Sequence, residues 1–166
     1  LKLTYELIKA YGLLDLTSVQ FIPTIKAEEE TLAIFHSQEY LNILKQGSEG
    51  FLVGDAYLYG LGPGDNPIFP GLYNWSLLVT GATLQAVDFV ADGKGEIAFN
   101  IAGGLHHAMN SMASGFCYIN DPVIGIKRIL SRGKRVAYID VDAHHGDGVQ
   151  KAFYDTNQVL TISLHE

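Results

Sequence analysis

Apolar residues fall at helical spacing through the first half of the chain and in short runs beyond it. Leu3, Leu7, Ile8 and Tyr11 recur at intervals of three and four, which predicts an amphipathic helix stopped by Gly12. Ser37 to Gln46 repeats the pattern with Tyr40, Leu41 and Leu44. Glycine and proline cluster between Gly47 and Gly71, most densely in Leu61-Gly62-Pro63-Gly64-Asp65-Asn66-Pro67, and predict a long loop of the kind that often carries function. A longer helix is expected from Leu72 to Ala91, ended by Asp92-Gly93. Ile97 to Ala102 reads as a strand, and Asn120-Asp121-Pro122 opens a helix with a capping residue and an early proline. Arg135 to Val141 and Val159 to Leu164 are further strands, separated by a short helix from Gly148 to Tyr154. Strands alternating with helices predict an α/β fold with an open, mainly parallel sheet flanked by helices.

Composition narrows the partners. The chain has 166 residues, 48% hydrophobic and 17% charged, enough for one domain with its own core. A net charge of -7 and the lack of a basic stripe speak against direct nucleic-acid binding and suit a cationic partner. The single cysteine, Cys117, excludes an internal disulfide and fits a reducing, cytoplasmic setting. No apolar run approaches the ~18 residues of a membrane span, and the start has no secretion-signal pattern. Both ends read as cut from something longer, so residues 1–166 are expected to form one domain that is incomplete.

Two polar clusters each follow a predicted strand, where open α/β sheets build their sites. The first is Gly103-Gly104-Leu105-His106-His107; the second is Asp140-Val141-Asp142-Ala143-His144-His145-Gly146-Asp147. Two residues apart, Asp140 and Asp142 project to one side of an extended chain, and neighbouring carboxylates repel unless a cation lies between them. A carboxylate and a neutral imidazole, Asp142 and His144, suit zinc or a similar divalent ion. Aspartates that merely cap the helix after Gly146 would account for a lone Asp-x-His. They do not account for His106, His107, Asp140, Asp142, His144 and Asp147 gathered at two strand ends.

From Phe99 to Glu166 the sequence resembles the histone deacetylase family, including its bacterial acetoin-utilisation members. The resemblance is carried by Ala102-Gly103-Gly104-Leu105-His106-His107-Ala108, by Ala113-Ser114-Gly115-Phe116-Cys117-Tyr118-Ile119-Asn120-Asp121, by Tyr138 through Val149, and by Phe153-Tyr154-Asp155-Thr156 and Ser163-Leu164-His165. Weaker similarity runs back through Phe35-His36-Ser37 to the first helix. It implies the arginase/deacetylase fold and a zinc-dependent hydrolase acting on acetyl-lysine in a protein or on a small acetylated amine. Asp142 and His144 would hold zinc (or ferrous iron in the cell), His107 would be general base and then acid, Asp147 would orient His107, and Asp140 would pair with His106. Gly115 and Phe116 would line an acyl-lysine tunnel, with Asp65 on its rim. A structural potassium ion would lie at Asp140, Asp142, His144, Ser163 and Leu164, and a second at Phe153, Thr156 and Val159.

Against the family pattern, a third zinc ligand and an oxyanion-stabilising tyrosine are expected from later segments, so these 166 residues alone are expected to be inactive. Leu105 stands where many eukaryotic members carry an aromatic residue. An arginase-type binuclear site needs Asp-x-His-x-Asp, and Gly146 occupies the last position. Acetylpolyamine amidohydrolase shares the same chemistry and stays open as an alternative. So does a non-catalytic, partner-binding domain, although the presence of His107 and Asp142 speaks against it.

Overall fold

The computed structural model describes residues 1–51 and 54–166; Leu52 and Val53, inside the expected long loop, lie outside the described residues. The elements run α1 (Lys2–Ala10), α2 (Glu29–Leu32), α3 (Gln38–Ser48), α4 (Leu72–Ala91), α5 (Asp121–Leu130), β1 (Val136–Asp140), α6 (Asp147–Phe153) and β2 (Val159–Ser163), with single 3-10 turns at Leu13–Asp15 and Ala56–Tyr59. β1 and β2 pair in parallel, Val136 opposite Val159 through Asp140 opposite Ser163. Parallel neighbours need a crossover connection, usually a helix, and α6 supplies it.

Local signals explain most boundaries. Gly12, at φ 67°, takes the left-handed conformation just past α1. Ser37 Oγ accepts the Tyr40 amide at the start of α3, and Asn120 Oδ1 accepts the Val123 amide at the start of α5. The expected helix over 72–91 forms at those bounds.

The larger core joins α2, α3 and α4 to the segment before α5, through Leu32, Tyr40, Leu41, Leu44, Leu72, Leu77, Tyr118, Ile119 and Ile124. A second cluster, Val123, Ile126, Val149, Phe153 and Val159, seats α5 and α6 against one face of the sheet. On the opposite face Ile139 and Leu160 are exposed. Apolar residues on both faces are the pattern of a parallel sheet covered on both sides.

One expectation is corrected. The run Ile97–Ala102 forms no strand; Ile97 and Phe99 are exposed, and Asn100 Nδ2 donates to Val79 O at 3.2 Å and Thr83 Oγ1 at 2.9 Å. β-propensity without a neighbouring strand leaves the backbone nothing to pair with, and Asn100 hooks the segment to α4 instead. Helix α1 forms, but its apolar stripe is not buried.

Candidate active site

The end of β1 and the turn that follows it bring together most of the expected residues. Asp140, on the last strand position, is buried. Its Oδ2 accepts from His106 Nδ1 at 2.6 Å and from the Tyr138 hydroxyl at 2.6 Å, while Oδ1 accepts the Asp142 amide at 3.0 Å. Burial pushes the Asp140 carboxyl up, but these three donors outweigh it and hold the pKa below the ordinary carboxylate value. Strand alternation stops there because the chain turns: Asp140 lies inside and Asp142 is exposed. Both still face one ring, since Asp142 Oδ1 lies 4.0 Å from His106 Nε2.

The second pair is built the same way. His107 Nδ1 lies 2.7 Å from Asp147 Oδ1, and Asp147 is fixed at the start of α6, where the same oxygen accepts the Gly148 amide. With each Nδ1–H given to a carboxylate, each Nε2 is left with a free lone pair. The two imidazoles sit with centroids 4.1 Å apart, and His107 is 6.0 Å from His144.

Asp142 and His144 suit a shared cation. Asp142 Oδ1 and His144 Nδ1 are 3.3 Å apart, about the ~3.3 Å expected of two ligands on one tetrahedral zinc at ~2.0–2.1 Å each. The His144 amide also donates to Asp142 Oδ1 at 2.8 Å, and this bond is the main cause that lowers the Asp142 pKa. Among the described residues no group of three or more His, Cys, Asp or Glu side chains is arranged to hold a metal.

Gly115 packs directly on the base. A Cβ there would meet His107 Cδ2 at 2.4 Å, and the backbone sits at φ 51°. Gly115→Ala is therefore expected to displace the imidazole and to cost about 1–3 kcal/mol by overpacking, read as a lower denaturation midpoint. Phe116, at φ 66°, has the only positive φ of a non-glycine among the described residues, and the residue is 70% exposed. Beside it, burial pushes the Cys117 thiol up to about 11, so it is not a thiolate nucleophile near neutral pH.

Asp65 is exposed on its loop. That loop is tied to the Gly115 segment by Asn66 Nδ2 on Cys117 O at 3.4 Å and by the Tyr118 hydroxyl on Pro67 O at 2.7 Å. Leu164 N donates to Asp140 O at 2.9 Å, so the strand ends carrying Asp140, Ser163 and Leu164 lie side by side. Phe153, Thr156 and Val159 span the turn from α6 into β2, where the Thr156 amide donates to Phe153 O at 3.3 Å.

Tyr138, Asn120, Asp121 and His36 support the site without having been singled out for it. Tyr138 could have been found by alternation, being two residues before Asp140 on the same strand face. Asn120 reads from the sequence as a cap and as part of the Ala113–Asp121 motif, neither of which assigns it a role at the site.

Comparison with known proteins places the chain in a family. The profile of the histone deacetylase domain matches residues 1–166. Acetoin utilization protein AcuC of Bacillus subtilis is 42% identical over 99% of this chain and 42% of its own length. Histone deacetylase 8 of Xenopus tropicalis is 44% identical over 99% of the chain and 44% of its length. The crystal structure of an HDAC homolog from Aquifex aeolicus superposes with a TM-score of 0.81 at 45% identity, covering 87% of this chain and 39% of that one. An HDAC homolog complexed with SAHA gives a TM-score of 0.78. The chain thus spans less than half the length of these relatives. With a full-length profile match and the parallel α/β fold of a solved homolog, the chain belongs to the histone deacetylase family.

Proposed function

We propose that this chain carries the proton-transfer apparatus and two metal ligands of a zinc-dependent deacetylase, which hydrolyses the amide of acetyl-lysine or a similar acetylated amine. The observation that carries the reading is the pair of imidazole–carboxylate contacts, His106–Asp140 and His107–Asp147, beside the Asp142–His144 donors. Asp142 and His144 would hold the zinc, or ferrous iron in the cell, and a metal bound there supplies Lewis-acid polarisation of the scissile carbonyl and a more acidic water.

The chain's own groups do the rest. His107, its Nδ1–H on Asp147, uses Nε2 to take a proton from the attacking water and returns it to the departing amine. His106, buried against an anionic Asp140, is held where its positive form would be stabilised as charge develops. Gly115, whose backbone the His107 ring packs against, and Phe116, an apolar wall, would line the path of a slim stem. Each methylene removed from water there is worth about 0.8 kcal/mol. Asp65 stands ready on its loop as a rim carboxylate for substrate backbone amides. Potassium at the Asp140, Asp142, His144, Ser163 and Leu164 strand ends would ease repulsion between the two aspartates. A second potassium would brace the Phe153–Val159 turn through backbone carbonyls.

The complete activity is assigned to the full-length protein, with a further ligand and an oxyanion donor supplied outside the described residues. In that protein, turnover of an acetyl-lysine peptide is expected to vanish on chelation, return with zinc, and be absent in Asp142→Ala together with most of the bound zinc. An acetylated polyamine turned over in preference to the peptide would redirect the substrate class. SAHA binding by a zinc-loaded protein with no turnover of either would favour a partner-binding domain.

A further inference from the structure

The two side chains that open α5 reach away from their own helix. Asn120 is fully buried, and besides capping Val123 its Nδ2 donates to His106 O at 3.1 Å and Ala108 O at 2.9 Å. Asp121, 1% exposed, accepts the Leu105 amide on Oδ1 at 2.9 Å. Its Oδ2 accepts the Gly104 amide at 3.1 Å and the Thr83 hydroxyl at 2.6 Å. Together they grip the backbone on both sides of His106–His107, Asp121 through amides before it and Asn120 through carbonyls within and after it.

Neighbouring residues leave this grip no slack. A Cβ at Gly103 would lie 2.5 Å from Asp121 Oδ2, and one at Gly148 would lie 2.5 Å from His106 O, 2.7 Å from Ala108 O and 2.8 Å from Asn120 Nδ2. Behind the clamp, His36 Nε2 accepts the Asn120 amide at 2.9 Å and its Nδ1 meets Asn110 O at 3.2 Å. Capping does not require any of this. Serine or aspartate caps a helix as well as asparagine does, but only asparagine pairs an acceptor with two donors. Burying the Asp121 carboxylate costs free energy that an exposed cap would not.

We infer that Asn120 and Asp121 are positioning residues that hold the 104–108 backbone so that His106 and His107 meet Asp140 and Asp147 in one register. The catalytic meaning rests on the proton-transfer role proposed above for the two histidines; the clamp itself is tested without activity. In the 166-residue chain, hydrogen-bonded imidazole Nδ1–H protons of His106 and His107 should give downfield proton resonances. Asn120→Ser keeps the cap and removes both donors to the carbonyls, and is expected to broaden or abolish these signals while circular dichroism stays native. In the zinc-loaded full-length protein the same variant should lose roughly 10–100-fold in kcat with KM little changed, the scale of outer-shell losses at metal sites. Signals unchanged in a folded Asn120→Ser or Asp121→Asn would overturn the inference. Should both variants fail to fold, amide exchange in the unaltered chain decides: Gly104 and Leu105 are expected to be protected along with α5, and loop-like exchange there would overturn it. Resonances that respond in a protein with no hydrolase activity would leave the clamp standing and remove the proposed function.

Discussion

Replacing His107 by alanine is expected to lower kcat of the full-length protein by about 10²–10⁴-fold, the usual contribution of a positioned general acid–base, with KM and zinc content little changed. The expectation follows from where the proton can go. His107 Nδ1 is committed to Asp147 at 2.7 Å, so in the proposed mechanism Nε2 would be the working atom. The buried Cys117 thiol beside it, pushed up to about 11, offers no alternative base near neutral pH. Asp147→Asn should fall in the same direction, because an amide can stabilise the wrong tautomer. Steady-state kinetics on an acetyl-lysine peptide checks both, and a loss under about tenfold for His107→Ala would remove it from the general-base role.

Acid is expected to unfold the protein by way of His36, which lies behind the Asn120 clamp and is not one of the groups proposed to move a proton. His36 is 2% exposed, and burial lowers its pKa to about 4 from 6.5. Its Nε2 must stay unprotonated to accept the Asn120 amide. Between those two pH values the unfolded chain takes up a proton that the folded one refuses. Stability is therefore flat above about 6.5 and falls as pH drops toward 4, by roughly 3 kcal/mol from this group. The buried Asp121 carboxyl, raised chiefly by burial, works in the opposite sense: its contribution is present at low pH and lost as pH rises through the raised value. Denaturant titrations of the unaltered protein and His36→Gln, compared at each pH, cancel that term. The stability gap between the two should shrink as pH falls from 7.5 to 4; parallel curves would rule out the role.

The sequence made some of this legible because the signals are local. Helix α4 and the Asn120 cap depend on residues within a few positions of one another, and both appear where the pattern puts them. The two polar clusters could be read off the chain, but which carboxylate meets which imidazole was implied only by the resemblance to the family. What stayed hidden is long-range. Ile97–Ala102 has the composition of a strand, but nothing local says whether a neighbour will be there to pair with it. His36 reaches Asn120 across 84 positions, and the Phe35-His36-Ser37 stretch, though similar to the family, says nothing of that partner. Asp121 looks like an ordinary first-turn acid, until its burial shows that it serves the Gly104–Leu105 backbone.

Phe116 shows what a folded chain will tolerate in order to keep a feature. A bulky residue held at φ 66° and largely exposed gives up about 1–3 kcal/mol of backbone strain and gains little from packing. Glycine would relax the backbone, so selection for stability alone would drift away from phenylalanine. Phe116→Gly is therefore expected to raise the denaturation midpoint while removing the apolar wall proposed for the substrate path, so that stability and binding would move in opposite directions.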